Sequence, residues 1–221
     1  MGPTGIAVRA MRLLVVHCHP DPQSFGAAVR DRVLAGASRA GHEVDLMDLH
    51  AEGFDPVMSC EERRGYHTPV ENERPVAAHI ARLRAAEGLI FVYPTWWYGQ
   101  PAMLKGWLDR VFVPGVAFEM PLPGQPIRGG LKNIRLVGAI STLGSPWWWW
   151  TFAMRAPGRR ILLTGVGGGG GGGGRPPGGG RGRGGGRRPP PRPPPTPPAT
   201  PPPPAPPPRP PPPHPQPPAP L

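Results

Sequence analysis

Three short segments of the sequence place aromatic, hydroxyl or histidine side chains beside a turn or a glycine. They are HPDPQSF at 19–25, PTWWYG at 94–99 and STLGSPWW at 141–148. In the second segment, the aromatic rings of Trp96–Tyr98 next to Gly99 could stack on or edge a planar ring while the backbone approaches it closely. Packing in the core or at an interface would explain the same aromatic residues equally well.

The first segment is typical of a turn that binds an anion. Ser24 and the backbone N–H groups after it open a predicted helix, and the start of a helix attracts phosphate. His19 could add a hydrogen-bond donor. A simple helix N-cap at Ser24 is an equally good interpretation. The triplet HCH at 17–19 could also bind a metal, but no second His/Cys cluster has a suitable spacing, so we expect no metal site.

The third segment combines a flexible position with a run of tryptophan. Gly144 permits a close approach of the backbone to a ligand, and Trp147–Trp150 could form the wall of a pocket. Four consecutive tryptophans cannot all face one side of a helix. Some of them are therefore expected to be exposed or to pack against another subunit.

Strands and helices alternate between these segments. The patterns predict strands at 12–17, 43–49, 89–93 and 133–141, helices at 25–40, 75–86 and 100–113, a long loop at 51–75, and partly helical structure at 146–158. This order predicts a parallel sheet with right-handed crossovers. Ligands bind such sheets beyond the carboxyl ends of the strands. Each of the three segments follows a strand, so we expect all three to converge there.

The composition changes abruptly at Gly167. Of the 55 residues from Gly167 to the end, 47 are Pro, Gly or Arg, and the stretch begins with eight glycines. Such a segment cannot bury enough apolar area to offset the entropy of ordering it, so 167–221 is predicted to be a disordered tail. The abrupt change also suggests a frameshift, and with it a sheet that lacks its last strand and helix. The resulting division is an N-terminal extension at 1–11, with Met11 as a candidate start, a domain at 12–166, and the tail.

Charge and cysteine content narrow the class of protein. The net charge is +11, but seven arginines lie in the tail, which leaves +4 for the rest of the chain. A nucleic-acid partner is therefore not expected for the folded part. Two cysteines form no disulfide framework, and neither a signal peptide nor a membrane-spanning run is predicted. These features predict a reduced, cytoplasmic protein.

The motifs HPDPQSF at 19–25, YPTWWYGQPAMLKGWLDRVF at 93–112 and TLGSPWW at 142–148 resemble the flavodoxin-like NAD(P)H dehydrogenase (quinone) family. The resemblance covers residues 12 to about 166, and its middle motif is highly specific. It implies an α/β flavodoxin-like doubly wound parallel sheet and a homodimer. It further implies FAD or FMN at the end of the sheet, NAD(P)H as co-substrate, and a quinone or similar planar acceptor.

The family resemblance assigns the flavin two groups of residues. The phosphate would be held by His19, Ser24 and Phe25. The isoalloxazine ring would be lined by Pro94, Thr95, Trp96, Trp97 and Tyr98, and its pyrimidine end approached by Thr142 and Gly144. Backbone N–H groups near Gly144 and Ser145 would stabilise negative charge on the reduced ring.

Two departures from the family pattern affect the chemistry that the resemblance implies. Gly26 stands where the family often has Asn, which removes one phosphate contact. Some members carry a Tyr and a later His that assist hydride transfer, whereas this chain has Trp149 and Arg155 near those places. The resemblance therefore assigns no catalytic side chain. Two alternatives remain open: a regulatory subunit of an ion-efflux system, and an electron-carrier flavoprotein, although the charge of +4 is unfavourable for a carrier.

Overall fold

The computed structural model describes residues 9–121, 125 and 127–166. The predictions made for the tail at 167–221, its disorder and its origin in a frameshift, fall outside these residues.

A four-stranded parallel sheet forms the centre of the fold. Its strands are β1 (Arg12–His17), β2 (Glu43–Asp48), β3 (Gly88–Pro94) and β6 (Leu136–Thr142), and a short antiparallel pair, β4 (Phe118–Glu119) and β5 (Arg128–Gly129), precedes β6. The strand order is β2–β1–β3–β6. All four strands end on the same side of the sheet, at His17, Asp48, Pro94 and Thr142. We call this side the carboxyl edge.

Helices cover both faces of the sheet. They are α1 (Phe25–Arg39), α2 (Cys60–Gly65), α3 (Ala77–Ala85), α4 (Ala102–Val111) and α5 (Pro157–Arg160), with a 3-10 turn at Arg74–Val76 and π-helical turns at Trp149–Ala153 and Ile161–Val166. Helix α1 packs on β2 and β3, and the turn at Ile161–Val166 packs on β6. Helices α3 and α4 and the turn at Ile161–Val166 share one buried cluster with Leu14, Val16 and Phe91 of the sheet. The alternating sheet residues Leu13, Val15 and Val92 are buried on the other face. The doubly wound α/β architecture predicted from the sequence is confirmed.

The core between the sheet and α4 centres on Trp107, which is fully buried. Its ring meets Phe91 of β3 edge to face, with 6.2 Å between ring centroids. Its indole N–H donates to Nδ1 of His79 on α3 at 3.2 Å. The LKGW part of the aromatic segment at 93–112 is therefore structural, because it fixes α4 to β3 and α3.

The predicted loop at 51–75 is wrong in its second half, where α2 and a 3-10 turn form. A capping box starts α2: the Ser59 hydroxyl accepts the Glu62 N–H at 3.1 Å, and the Glu62 carboxylate accepts the Ser59 N–H at 2.7 Å. Two hydrogen bonds at one helix start stabilise even a short helix. The sequence carries this signal as Ser59 followed three residues later by Glu62.

Two element boundaries also differ from the predictions. Helix α4 starts at Ala102 instead of residue 100, because Pro101 takes the extended N-cap position. Strand β6 starts at Leu136 instead of residue 133. The Asn133 side chain is bonded elsewhere, since it donates to the carbonyl oxygens of Leu83 and Ala86 and closes the end of α3.

Strand β6 borders the sheet in the part of the chain that the structure describes, where no fifth strand pairs with it. Its Leu136 and Ile140 side chains are exposed. This agrees with the predicted shortened sheet within that part of the chain.

Candidate functional site

The three segments singled out from the sequence meet at the carboxyl edge. The Thr95 N–H donates to the Thr142 carbonyl at 2.8 Å, which joins the end of β3 to the end of β6. The rings of His19 and Trp96 lie 6.1 Å apart, measured between their centroids. The predicted convergence is therefore present, and the roles of these residues in binding a ligand stay predictions.

Residues 96–99 form a tight turn that projects from the end of β3. Trp96 and Gly99 exchange two backbone hydrogen bonds, at 3.2 and 3.0 Å, and Trp97 and Tyr98 between them have left-handed φ values of 48° and 64°. We call residues 96–99 the aromatic turn. Non-glycine residues rarely adopt this conformation, and bulky ones that do are held there by their surroundings. The Trp97 side chain is 96% exposed, so it contributes little to the core.

A cleft of about 270 Å³ lies between the aromatic turn and the loop after β6. Its lining residues are Thr95, Trp97, Tyr98, Leu143, Gly144 and Ser145. A Cβ atom placed on Gly144 would meet nothing within 4 Å, so the backbone here is open to a ligand. A cleft with aromatic walls and accessible backbone donors suits a flat heteroaromatic ring. Leu143 and Ser145 were not among the ring-binding residues expected from the sequence.

The turn after β1 has the features of a phosphate site, although it lies outside this cleft. Ser24 is the N-cap of α1, and its hydroxyl accepts the Ala27 N–H at 3.1 Å. Nδ1 of His19 lies 3.0 Å from the Asp21 nitrogen and 3.1 Å from the Asp21 carbonyl oxygen, so this side of the ring is tied to the turn. The other ring nitrogen, Nε2, makes no hydrogen bond within the described residues and is the one left for a ligand. The Phe25 side chain is exposed.

The segment after β6 folds back over the aromatic turn. The Trp150 indole N–H donates to the Tyr98 carbonyl at 3.3 Å, and the Gln100 side-chain amide donates to the Gly158 carbonyl at 3.0 Å. A Cβ on Gly158 would lie 3.7 Å from Gly99 Cα. These contacts hold the left-handed turn in place. They join residues far apart in the chain, so the sequence pattern did not predict them.

The ionisable groups near the carboxyl edge are not suited to nucleophilic or metal chemistry. Burial raises the pKa of the Cys18 thiol to about 12, which keeps it protonated and unreactive. Burial lowers the pKa of His17. Within the residues described, no group of three His, Cys, Asp or Glu side chains is arranged to hold a metal ion. The arrangement favours binding and orientation of a ring over acid–base catalysis.

A larger cavity than this cleft lies elsewhere in the described part of the chain. It measures about 640 Å³ and is lined by residues of α2 and its neighbours, including Glu61, Glu62, Arg64, Arg74 and Arg110. Charged groups of both signs line it, and Glu62 already pairs with Arg110 at 2.6 Å. It contains no exposed aromatic ring, so the smaller cleft at the carboxyl edge is the better site for a planar ligand.

No helix among the described residues is both long and apolar enough to cross a membrane.

Comparison with known proteins supports the family resemblance. The profile of the family described as having a flavodoxin-like fold matches residues 11–155. An NAD(P)H dehydrogenase [quinone] 1 from Cavia porcellus is 31% identical over 150 residues, covering 61% of this chain and 54% of that protein. An uncharacterized NAD(P)H oxidoreductase from Haemophilus influenzae is 35% identical over 136 residues, covering 61% and 65%.

A solved structure agrees with the fold. The NAD(P)H:quinone oxidoreductase from Methanothermobacter marburgensis superposes with a TM-score of 0.58 at 26% identity, covering 72% of this chain and 77% of that one. The chain spans little more than half the length of the first curated relatives it matches. Because the profile match includes all four strands of the parallel sheet and the aromatic turn, the chain belongs to the flavodoxin-like fold family.

Proposed function

We propose that the chain is a flavin-dependent oxidoreductase that transfers electrons from NAD(P)H to a quinone or a similar planar acceptor. The observation that carries the proposal is the exposed aromatic turn beside the open backbone of Gly144, at the carboxyl edge of a parallel sheet. Two of the relatives, an NAD(P)H dehydrogenase [quinone] and an NAD(P)H:quinone oxidoreductase, have names that point to the same activity.

The residues present fit a flavin, in either its FMN or its FAD form. Thr95, Trp97 and Tyr98 would line one side of the ring, and Gly144 and Ser145 would approach the other side. When bound, a flavin accepts hydride from a nicotinamide and passes electrons to an acceptor. The phosphate would lie at Ser24 and His19, where the start of α1 offers backbone donors and the His19 ring lies beside the turn.

The tasks of the protein in this reaction are binding, orientation and exclusion of water. The hydrogen bond from Trp150 to the Tyr98 carbonyl fixes the aromatic turn in place. The nicotinamide or the acceptor ring would then pack against this turn in a defined orientation. Backbone N–H groups at Gly144 and Ser145 would stabilise negative charge that develops on the ring. No side chain need act as a nucleophile. We also propose that the working form is a homodimer.

Flavin titration and turnover test this function. The full chain is titrated with FMN and with FAD while the flavin fluorescence is followed, and oxidation of NADH and NADPH is then measured with a soluble benzoquinone. We expect saturable binding of one of the two flavins and acceptor-dependent turnover. Binding without turnover would instead favour a regulatory or carrier role. Failure to bind either flavin would contradict the proposal.

A further inference from the structure

A second cavity lies beside the aromatic turn and carries strong positive charge. It measures about 460 Å³, and three arginines, Arg155, Arg159 and Arg160, line it together with Thr151, Thr164 and Phe152. Its volume falls within the range of about 300–1,000 Å³ that is usual for small-molecule sites. No carboxylate lines it.

The three guanidinium groups have no acidic partner among the described residues. None of them forms an ion pair or donates a side-chain hydrogen bond to another described residue, whereas Arg30, Arg82, Arg84 and Arg110 all do. The sequence explains this, because no Asp or Glu occurs after Glu119. Three like charges brought around one cavity repel each other, and an anion with several oxygens would relieve that repulsion.

We call the cavity lined by Arg155, Arg159 and Arg160 the arginine cavity. Hydrogen bonds and packing connect the segment that forms it to the aromatic turn. Arg159 directly follows Gly158. The Gly158 carbonyl accepts a hydrogen bond from Gln100, and the Cα atom of Gly158 packs against Gly99. Trp150, which precedes Thr151, donates to Tyr98. A ligand with a planar ring on the aromatic turn and an anionic group some distance away could therefore occupy the cleft and the cavity together.

We propose that this cavity binds the phosphate-bearing adenosine end of the nicotinamide donor and selects NADPH over NADH. The inference rests on the proposed function, because it assumes that the nicotinamide ring lies in the cleft. The 2′-phosphate of NADPH offers the oxygens that three guanidinium groups and the hydroxyls of Thr151 and Thr164 can bind. The phosphate of the flavin itself is assigned to the turn at Ser24, on the other flank of the site.

Calorimetric titration of the full, flavin-loaded chain with adenosine 2′,5′-bisphosphate tests the cavity without any turnover. Adenosine 5′-monophosphate and inorganic phosphate are the comparison ligands. We expect the bisphosphate to bind tightest, with an affinity that falls as salt is added. Replacing Arg159 or Arg160 by Gln should weaken it about tenfold or more, as for loss of a charge-assisted hydrogen bond.

The matched control is Arg39→Gln, which removes the same charge at the end of α1, on the opposite side of the sheet from the carboxyl edge. It should leave the affinity unchanged. A kinetic readout accompanies the titration: the arginine variants should raise KM for NADPH about tenfold while KM for NADH stays the same. Bisphosphate that binds no tighter than either comparison ligand, or equally to the arginine variants, would overturn the proposal. A chain that binds the bisphosphate but oxidises neither NADH nor NADPH would refute the proposed function, while the binding of a phosphate in the cavity would remain supported.

Discussion

Two tryptophans in the segment at 93–112 serve opposite purposes. Trp107 is fully buried, whereas Trp97 is almost fully exposed on a left-handed backbone. Burial of a large ring stabilises the fold. An exposed ring on a residue with an unfavourable backbone conformation does not. Trp97 therefore contributes little to the stability of the fold, and its exposed ring is free to take the ligand-binding role proposed above.

Replacement of Trp97 should separate ligand binding from folding. Trp97→Ala is expected to weaken flavin binding by about 1–3 kcal/mol while the thermal unfolding midpoint changes little. Trp97→Asn, whose side chain tolerates left-handed backbone, should lose a similar amount of affinity. Trp107→Ala should instead destabilise the fold by about 3–5 kcal/mol. Fluorescence titration and thermal melting measure both effects, and unchanged flavin affinity in the two Trp97 variants would remove this residue from the site.

His17 is a polar residue in an apolar setting at the end of β1. Its side chain is 1% exposed, and neither ring nitrogen has a hydrogen-bond partner within the described residues. Burial lowers its pKa. The carboxylate of Asp48 is the strongest opposing influence on this pKa, and the nearby charge of Arg30 acts in the same direction as burial. The folded protein therefore holds this imidazole neutral.

Stability should fall as the pH falls below the ordinary histidine pKa of 6.5. The unfolded chain takes up a proton at His17 more readily than the folded chain, so acid favours unfolding, and above that pH the contribution is fully present. His79, whose pKa burial also lowers, adds to the same slope. His17→Leu should reduce the loss of unfolding free energy between neutral and mildly acid pH, measured by urea denaturation. Equal slopes in both proteins would contradict this account.

At the scale of elements, the packing of α4 on the preceding loop determines where the aromatic turn lies. A Cβ atom on Gly106 would overlap the carbonyl oxygen of Pro56 and lie 2.7 Å from its Cα. Only glycine lets the two backbones approach this closely. Helix α4 begins three residues after the turn, so a displacement of the helix would move the turn with it.

Two glycine replacements make a matched test of this packing. Gly106→Ala is expected to destabilise the fold by about 1–3 kcal/mol, because the overpacked helix must shift. Gly36→Ala in α1, where an added Cβ meets nothing within 4 Å, should stabilise by about 0.5–1 kcal/mol. Denaturant unfolding measures both. Equal effects of the two changes would show that the contact with Pro56 does not constrain α4.

How much of the molecule the sequence predicts depends on whether a local pattern or a distant contact decides each feature. The buried run at β1 and the N-cap Ser24 are local signals, and the structure has them as predicted. The contacts of Trp150 with Tyr98 and of Gln100 with Gly158 join residues more than fifty positions apart. Such contacts produce no periodic pattern of apolar residues in the sequence. The left-handed φ of Trp97 was likewise unpredictable, because tertiary contacts impose it against its own preference.

At the scale of the whole molecule, the aromatic surface after β6 favours a second subunit. The Trp147 and Phe152 side chains are 67% and 71% exposed, and their ring centroids lie 5.9 Å apart. Single domains rarely leave a contiguous apolar patch of this kind open to water.

Sedimentation at micromolar concentration should therefore find a dimer. Trp147→Ser combined with Phe152→Ser should shift the equilibrium toward monomer, because two large apolar side chains would no longer be buried at the contact. A monomeric wild-type chain with full activity would count against the homodimer.

The central claim is that the cleft at the carboxyl edge holds a flavin that NAD(P)H reduces and a quinone reoxidises. Its most direct measurement follows the visible absorbance of the flavin-loaded chain without oxygen, as nicotinamide and then quinone are added. The account predicts that stoichiometric NADPH bleaches the flavin and that stoichiometric quinone restores its absorbance. A chain that retains no flavin, or whose bound flavin stays oxidised in excess NADPH and NADH, would contradict it.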